Sequence, residues 1–368
     1  MHVVVYTDSA GVGGAEISLG HLVTTTSADT KITIVGVNSA VLEAIAKGRP
    51  QARQILLPAT GINAVWKHIQ TFHQLNPDIV HINLCTPWAG AIALFAALTL
   101  PKARVVRVDQ LPLRTTDLVI WLRTRLLSLR VDAHVAVGQA CGRHMEDFYA
   151  LGRGTVLSIP NGVPDVEHPP TVTPTPLSDK TLHVGSIGRL DPMKGHDTLL
   201  QAIARVEHTK LTILGEGAYR SQLEQLAEEL GIGDRVAMPG WIDNPRLYLT
   251  SFDVIAQPSR SEGFPLSIVE AMLASRPVVA TKVGSVAEAI TDRQTGFLVD
   301  KDDVEALTTA LCKLRDNPDL RLELGQQARA IAASQFTVEY MTAQYEELWQ
   351  KLVQRPRNPR LWVSRPRD

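Results

Sequence analysis

The chain has 368 residues, of which 45% are hydrophobic and 20% charged, with 37 basic against 38 acidic side chains and a net charge of -1. That length has room for about two domains of ordinary size, and the composition excludes a disordered chain, a collagen-like chain and a disulfide scaffold. A near-neutral total also excludes a polycation built for nucleic acid.

The charge is uneven along the chain. Residues 1–178 carry 14 basic and 12 acidic side chains, residues 179–354 carry 18 and 25, and residues 355–368 carry five Arg and one Asp. The faintly basic first half and the basic tail suit an anionic partner or membrane surface; solvated surface charge is the plainer reading. Cys85, Cys141 and Cys312 lie far apart and form no CxxC pair, so the expectation is free thiols in a reducing, cytoplasmic setting. The first residues, M-H-V-V-V-Y-T-D, lack the basic start and apolar run of a signal peptide. The longest apolar stretch, residues 89–100, falls short of the roughly 20 residues that span a bilayer.

Short apolar runs at 3–6, 31–35, 79–82, 105–108 and 133–137 predict buried parallel strands. Helical patterns lie between and after them at 15–25, 64–74, 89–98, 118–129 and 141–151. This alternation predicts a doubly wound sheet. Residues 161–180 then carry a dense set of prolines and no periodicity, the composition of a linker. The alternation restarts with strands predicted at 182–187, 211–214, 236–238, 254–256 and 278–280, and helices at 197–206, 219–230, 245–251, 265–274 and 304–315. The expected organisation is an α/β chain of two Rossmann-like domains, 1–178 with its linker and 179–335. A helix at 336–354 is expected to cross back onto the first domain. It carries an apolar stripe of Phe336, Tyr340, Met341, Tyr345, Leu348, Trp349 and Leu352, and the basic tail follows at 355–368.

Three segments carry chemistry. Residues 261–274 read S-E-G-F-P-L-S-I-V-E-A-M-L-A. Pro265 suits the first position of a helix, and amides at a helix start face an anion. Glu262 would stand at that mouth and Glu270 further down the helix, able to accept from ligand hydroxyls. Residues 185–195, G-S-I-G-R-L-D-P-M-K-G, follow a strand and open a helix. Arg189 and Lys194 there could neutralise a diphosphate. Residues 9–16, S-A-G-V-G-G-A-E, lack the full dinucleotide spacing but permit close approach of backbone to ligand. There is no Walker A sequence, no H-E-x-x-H, no Cys/His cluster and no G-x-S-x-G. The D-x-D of Asp300–Asp302 is read as a cap for the helix starting near Val304, and no metal site is expected.

Taken in order, G-x-I-G-R-L-x-x-x-K-G, L-G-E-G at 214–217, G-W-I-D at 240–243, Q-P-S-R-S-E-G-F-P-L-S-I-V-E at 257–270 and G-x-L-V at 296–299 resemble family 4 of the retaining glycosyltransferases. Their architecture, two Rossmann-like domains facing across a cleft, is called GT-B. The resemblance is dense over residues 183–300 and looser over 1–160. It implies that Glu270 binds the ribose of a nucleotide and that Glu262 sits by the donor sugar, with the amides of Gly263, Phe264 and Leu266 facing sugar and phosphate. It implies that Arg189 and Lys194 hold the diphosphate and stabilise its departure, that Gly13 and Gly14 close on the phosphate, and that Gly188, Gly215, Trp241 and Ile242 complete the donor surroundings. The family typically needs no metal and no cofactor.

The family often places a His after the fourth strand of the first domain. Here Asp109 is expected in that place, counted with Arg189, Lys194 and Glu262 as catalytic. Ile17 stands where the family commonly has an Arg. The implied activity is transfer of a sugar from a nucleotide-diphospho-sugar to an acceptor hydroxyl on a glycan, a lipid-linked or a small molecule. The alternatives are a nucleotide-sugar epimerase on the same fold or an inactive nucleotide-sugar-binding subunit. Residues 121–130, W-L-R-T-R-L-L-S-L-R, suggest weak, salt-sensitive peripheral contact with the inner face of a membrane. The competing reading is a helix that packs its apolar face on the sheet and holds its arginines in water.

Overall fold

A computed structural model of the chain describes residues 1–165 and 181–356. It divides into two compact units, residues 1–164 together with the chain from Val338 onward, and residues 165–337. The tail beyond residue 356 and most of the expected linker, residues 166–180, lie outside the described residues. The first unit ends at Pro164 and the second begins at Asp165; the boundary expected at 178 lies outside the described residues. The first residues of the expected linker belong to the first unit: Asn161 is bonded to Ser18 and Gln110, and Val163 O accepts from Val338 N.

In chain order the first unit runs β1 (His2–Thr7), α1 (Gly14–Thr25), β2 (Lys31–Gly36), α2 (Ser39–Ala46), β3 (Arg53–Leu56), α3 (Ile62–Leu75), β4 (Ile79–Leu84), α4 (Ala91–Leu98), β5 (Arg104–Asp109), α5 (Leu118–Ser128), β6 (Ala133–Ala136), α6 (Gln139–Phe148) and β7 (Val156–Ser158). Its sheet is parallel, in the order β3-β2-β1-β4-β5-β6-β7. The second unit runs β8 (Leu182–Ile187), α7 (His196–Ala204), β9 (Thr209–Leu214), α8 (Arg220–Glu229), β10 (Val236–Gly240), β11 (Val254–Gln257), α9 (Leu266–Leu273), β12 (Val278–Thr281), α10 (Val286–Ala289), β13 (Gly296–Val299), α11 (Val304–Asp316) and α12 (Pro318–Gln335). Its parallel sheet has the order β10-β9-β8-β11-β12-β13.

Apolar runs make the central strands because helices cover both faces of a parallel sheet, so every side chain is buried. Val3, Val4 and Val5 are all 0% exposed. Strand order reverses between β8 and β11, and between β1 and β4. Such a switch point parts the loops on either side and opens a crevice at the carboxyl ends of the strands.

The last helix, α13 (Val338–Gln354), packs into the first unit. Val338, Met341, Tyr345, Trp349 and Leu352 join the core made by Val3, Val5, Ile79, Val106 and Val135. The spacing of these five is the three-and-four stripe of an amphipathic helix. Trp349 is fully buried, with its ring 5.7 Å from that of His81.

Several local expectations need correction. Pro265 is the N-cap of α9, not its first helical residue; its ψ of 126° is extended. Asp303, not the 300–302 string, caps α11: its carboxylate accepts from Ala306 N at 2.8 Å, while Asp302 pairs with Arg260. Residues 245–251 form a 3₁₀ turn rather than an α-helix. Helix α5 is built inside out. Its buried side chains are Thr124 and Ser128, whereas Leu118, Val119, Leu122 and Leu126 are 73%, 77%, 46% and 52% exposed. Its polar face is needed inward because Arg107, buried beneath it, donates to Ser128 Oγ.

Candidate active site

The loop after β8 and the loop after β11 flank the switch point of the second unit and are tied to each other. Arg260 N donates to Met193 O at 2.7 Å. The Arg260 guanidinium forks onto Asp197 at 2.9 and 2.7 Å and reaches Asp302 Oδ1 at 2.6 Å. Gly195, at φ +65°, passes so close to Pro258 that a Cβ would lie 2.1 Å from its carbonyl oxygen. Only glycine tolerates that approach and that backbone.

Between these ties Lys194 Nζ sits 2.7 Å from Glu262 Oε1. Both side chains are largely buried, at 19% and 8% exposure. The same Oε1 accepts from Ser259 Oγ at 2.6 Å and Gln257 Nε2 at 3.1 Å. Arg189 lies on the same loop as Lys194, 70% exposed and, among the described residues, paired only with its neighbour Asp191 at 3.1 Å. An ion pair that exposed is worth little, so its guanidinium is available. Among the described residues no side chain caps α9, whose first turn begins at Leu266, one residue beyond Glu262, Gly263 and Phe264.

Glu270, a turn further along α9, is half-buried, and its carboxylate makes no hydrogen bond or ion pair among the described residues. Burial raises its pKa above the ordinary carboxylate value against the opposing pull of Arg246. Beside β8, Gly188 N donates to Leu214 O. Gly215, at φ +153°, lies where a Cβ would meet Gly188 O at 2.0 Å. At the end of β10, Trp241 is 58% exposed with Nε1 donating to Asp243 at 3.1 Å, and Ile242 is half-buried. The second unit thus places Arg189 and Lys194 on one loop beside the switch point and Glu262 on the other, with Lys194 and Glu262 in contact and the start of α9 following Glu262. Glu270 lies down that helix, and Gly188, Gly215 and Trp241 stand at the carboxyl ends of neighbouring strands. The partnership of Gln257 and Ser259 with Glu262 escaped the sequence reading. Its signal was there in their positions five and three residues before the acid.

Arrangements in the first unit are more self-contained. Gly13 is the N-cap of α1 and Gly14 its first residue; Gly13 N donates to Glu16 Oε2 at 3.0 Å. Glu16 Oε1 accepts from Cys85 Sγ at 3.0 Å, and burial together with that carboxylate pushes the thiol up to about 12. Asp109 ends β5, 1% exposed. Its Oδ1 and Oδ2 accept from Arg107 at 2.9 and 2.8 Å, and Oδ2 also accepts from His134 Nε2. Burial by itself would raise this carboxyl, but Arg107 and His134 outweigh it and hold it near 2. The carboxylate expected near a donor sugar is thus engaged by Arg107 and His134. It anchors Arg107 and His134 under α5.

Among the described residues no group of three or more His, Cys, Asp and Glu side chains could hold a metal ion, and no helix is long and apolar enough to cross a membrane.

Known proteins share this fold. The family described as Glycosyltransferase Family 4 matches residues 12–167, and that described as Glycosyl transferases group 1 matches residues 173–331. The chain is 33% identical over 165 residues to the lipopolysaccharide core biosynthesis glycosyltransferase LpsE of Rhizobium meliloti, covering 45% of this chain and 48% of that one. It is 35% identical over 194 residues to the D-inositol 3-phosphate glycosyltransferase of Corynebacterium urealyticum, covering 49% and 45%. The matches span about half the length of these curated relatives. The crystal structure of Anabaena Alr3699/HepE in complex with UDP superimposes with a TM-score of 0.82 at 22% identity, over 95% of this chain and all of that one. The same protein has been solved with UDP-glucose. Two family matches in tandem, one over each sheet, and a superposition spanning both place the chain among the glycosyltransferases of GT-B fold, family 4 in its first half and group 1 in its second.

Proposed function

We propose that the protein is a retaining glycosyltransferase that takes a sugar from a nucleotide-diphospho-sugar and passes it to an acceptor hydroxyl without a metal. The observation that carries the reading is the Lys194–Glu262 pair, set beside the exposed Arg189 and the uncapped start of α9. Cation, carboxylate and helix-end amides are the three partners a sugar diphosphate asks for. Lys194 and Arg189 face the charge that grows on the diphosphate as the glycosidic bond breaks, and preorganised stabilisation of developing charge is the largest single catalytic effect of this kind. Glu262 accepts from a sugar hydroxyl. Glu270, whose carboxylate makes no hydrogen bond among the described residues, accepts from the ribose. The departing phosphate takes the acceptor proton on the face it leaves, which retains the anomeric configuration. The bound nucleotides of HepE, UDP and UDP-glucose, support a donor of that class. Thermal unfolding with a panel of nucleotide-sugars tests this: a ligand at 100 times its Kd adds about 2.7 kcal/mol, and a panel in which no member stabilises the protein would refute the donor.

Helix α5 favours a membrane-associated setting for the same enzyme. Its exposed face carries Leu118, Val119, Leu122 and Leu126. Arg123 donates to Trp88 O, and Arg125 lies over the Trp121 ring at 5.9 Å. An apolar stripe flanked by arginines suits the interface of an anionic bilayer, where each cation adds about 1 kcal/mol. Co-sedimentation with vesicles containing phosphatidylglycerol should show binding at low salt that falls at high salt. No binding at low salt would leave the acceptor in solution.

A further inference from the structure

Glu262 is held by one oxygen only. Lys194 Nζ, Ser259 Oγ and Gln257 Nε2 all converge on Oε1, at 2.7, 2.6 and 3.1 Å, and Oε2 accepts nothing among the described residues. The donors are themselves ordered. Ser259 is 0% exposed and Gln257 1% exposed. Gln257 Nε2 also donates to Ser259 Oγ at 3.0 Å, and Ser267 Oγ in the first turn of α9 donates to Gln257 Oε1 at 3.3 Å. The carboxylate of Glu262, which only accepts, fixes which way the amide faces: its nitrogen toward Glu262 and its oxygen toward Ser267. Ser259 is fixed in turn through its carbonyl, which accepts from Thr281 Oγ1. Ser267 thus donates to Gln257, Gln257 donates to Ser259, and Gln257 and Ser259 both donate to the same carboxylate oxygen.

Resting on the donor assignment above, we propose that Gln257 and Ser259 are positioning residues that set the enzyme's recognition of the sugar. They saturate Oε1 and turn Oε2 outward as the single acceptor offered to a sugar hydroxyl. A carboxylate held by Lys194 alone could rotate and present either oxygen, or both, and its geometry would no longer distinguish one hydroxyl arrangement from another. In the donor assignment the diphosphate is held by Arg189, Lys194 and α9 and the ribose by Glu270; Gln257 and Ser259 bond the carboxylate of Glu262 and, among the described residues, neither cation, so the device acts on the sugar and not on the diphosphate.

The test compares a sugar-bearing ligand with its sugar-free counterpart. Calorimetric titration uses UDP with UDP-glucose, and GDP with GDP-mannose where the wild type prefers guanine. Ser259→Ala is expected to weaken the nucleotide-sugar by about tenfold, the loss of one hydrogen bond to a charged group, and to leave the nucleoside diphosphate within twofold. Gln257→Met, similar in length and without donors, should do the same and serves if Ser259→Ala does not fold. Adding Ser259→Ala to Glu262→Gln should cost nothing further, because partners in one network are non-additive. Equal losses for both ligands, or an additive double variant, would overturn the positioning role while the donor assignment stands. A wild type that binds no nucleotide-sugar would overturn both.

Discussion

Lys194 Nζ lies 2.7 Å from Glu262 Oε1, across the seam between the loop after β8 and the loop after β11. The contact spans 68 residues of sequence, and the strand reversal between β8 and β11 brings its two ends together. Lys194 thereby stands preorganised where a diphosphate would lie. Replacing Lys194 or Arg189 with alanine should lower turnover on the order of 100-fold, with a smaller effect on donor affinity. Steady-state kinetics with wild-type-like donor KM and near-normal kcat in both variants would move the diphosphate clamp elsewhere. A chelator should leave wild-type turnover intact.

Glu270 has a raised pKa because it is desolvated without a hydrogen bond. A carboxyl whose folded pKa exceeds its unfolded value binds more protons folded than unfolded, so stability falls as pH rises between the two. Glu270→Gln should therefore raise Tm at neutral pH, with the gain vanishing below the ordinary carboxylate value of 4.5. The same variant should weaken nucleoside diphosphate binding, by about 1.5–3 kcal/mol if a charge-assisted bond to ribose is lost. Greater stability with unchanged affinity would remove Glu270 from the binding site.

Asp109 behaves oppositely. Held near 2 by Arg107 and His134 against an ordinary 3.8, it contributes stability that is fully present above its unfolded value and is lost as pH falls through its folded one. Asp109→Ala would leave Arg107 buried without its main partner, a loss of about 3–5 kcal/mol. For a unit of this size that is a fall in Tm of about 10 °C. An unchanged Tm would show that Asp109 is not an anchor.

Truncation after Gln335 removes α13 and with it the side chains of Met341, Tyr345, Trp349 and Leu352 from the core of the first unit. The truncated chain should be insoluble. The milder Trp349→Ala should cost about 3–5 kcal/mol in denaturant unfolding. A soluble, fully active truncation would contradict the packing seen here.

The parts legible in the sequence were those with strong local causes. Buried central strands announce themselves as continuous valine and isoleucine, and the segment 257–270 is punctuated by Pro258, Gly263 and Pro265. Other elements left weaker traces. Strand β3 lies at a sheet edge with Arg53, Gln54 and Leu56 exposed, so it carries no apolar run. Helix α12 buries Leu324 with Gly325, Ala328 and Ala332, and the last three are small residues that allow close approach but make a poor hydrophobic stripe; a Cβ on Gly325 would meet Ser275 O at 2.1 Å. In α5 the usual pattern is inverted by Arg107 beneath it. The candidate site divides along the same line. Its residue types could be read from motifs, but the convergence on one oxygen of Glu262 arises from two loops that meet only in the fold.

Transfer stereochemistry tests the central claim most directly. The purified protein, incubated with an α-linked nucleotide-sugar that stabilises it and with a candidate acceptor, should release nucleoside diphosphate and form an α-linked product. The anomeric proton signal of the first product would identify the linkage, and both release and product should collapse in Lys194→Ala. A β-linked first product would contradict retention, and release that survives Lys194→Ala and Arg189→Ala together would contradict the assignment of the reacting centre to these loops.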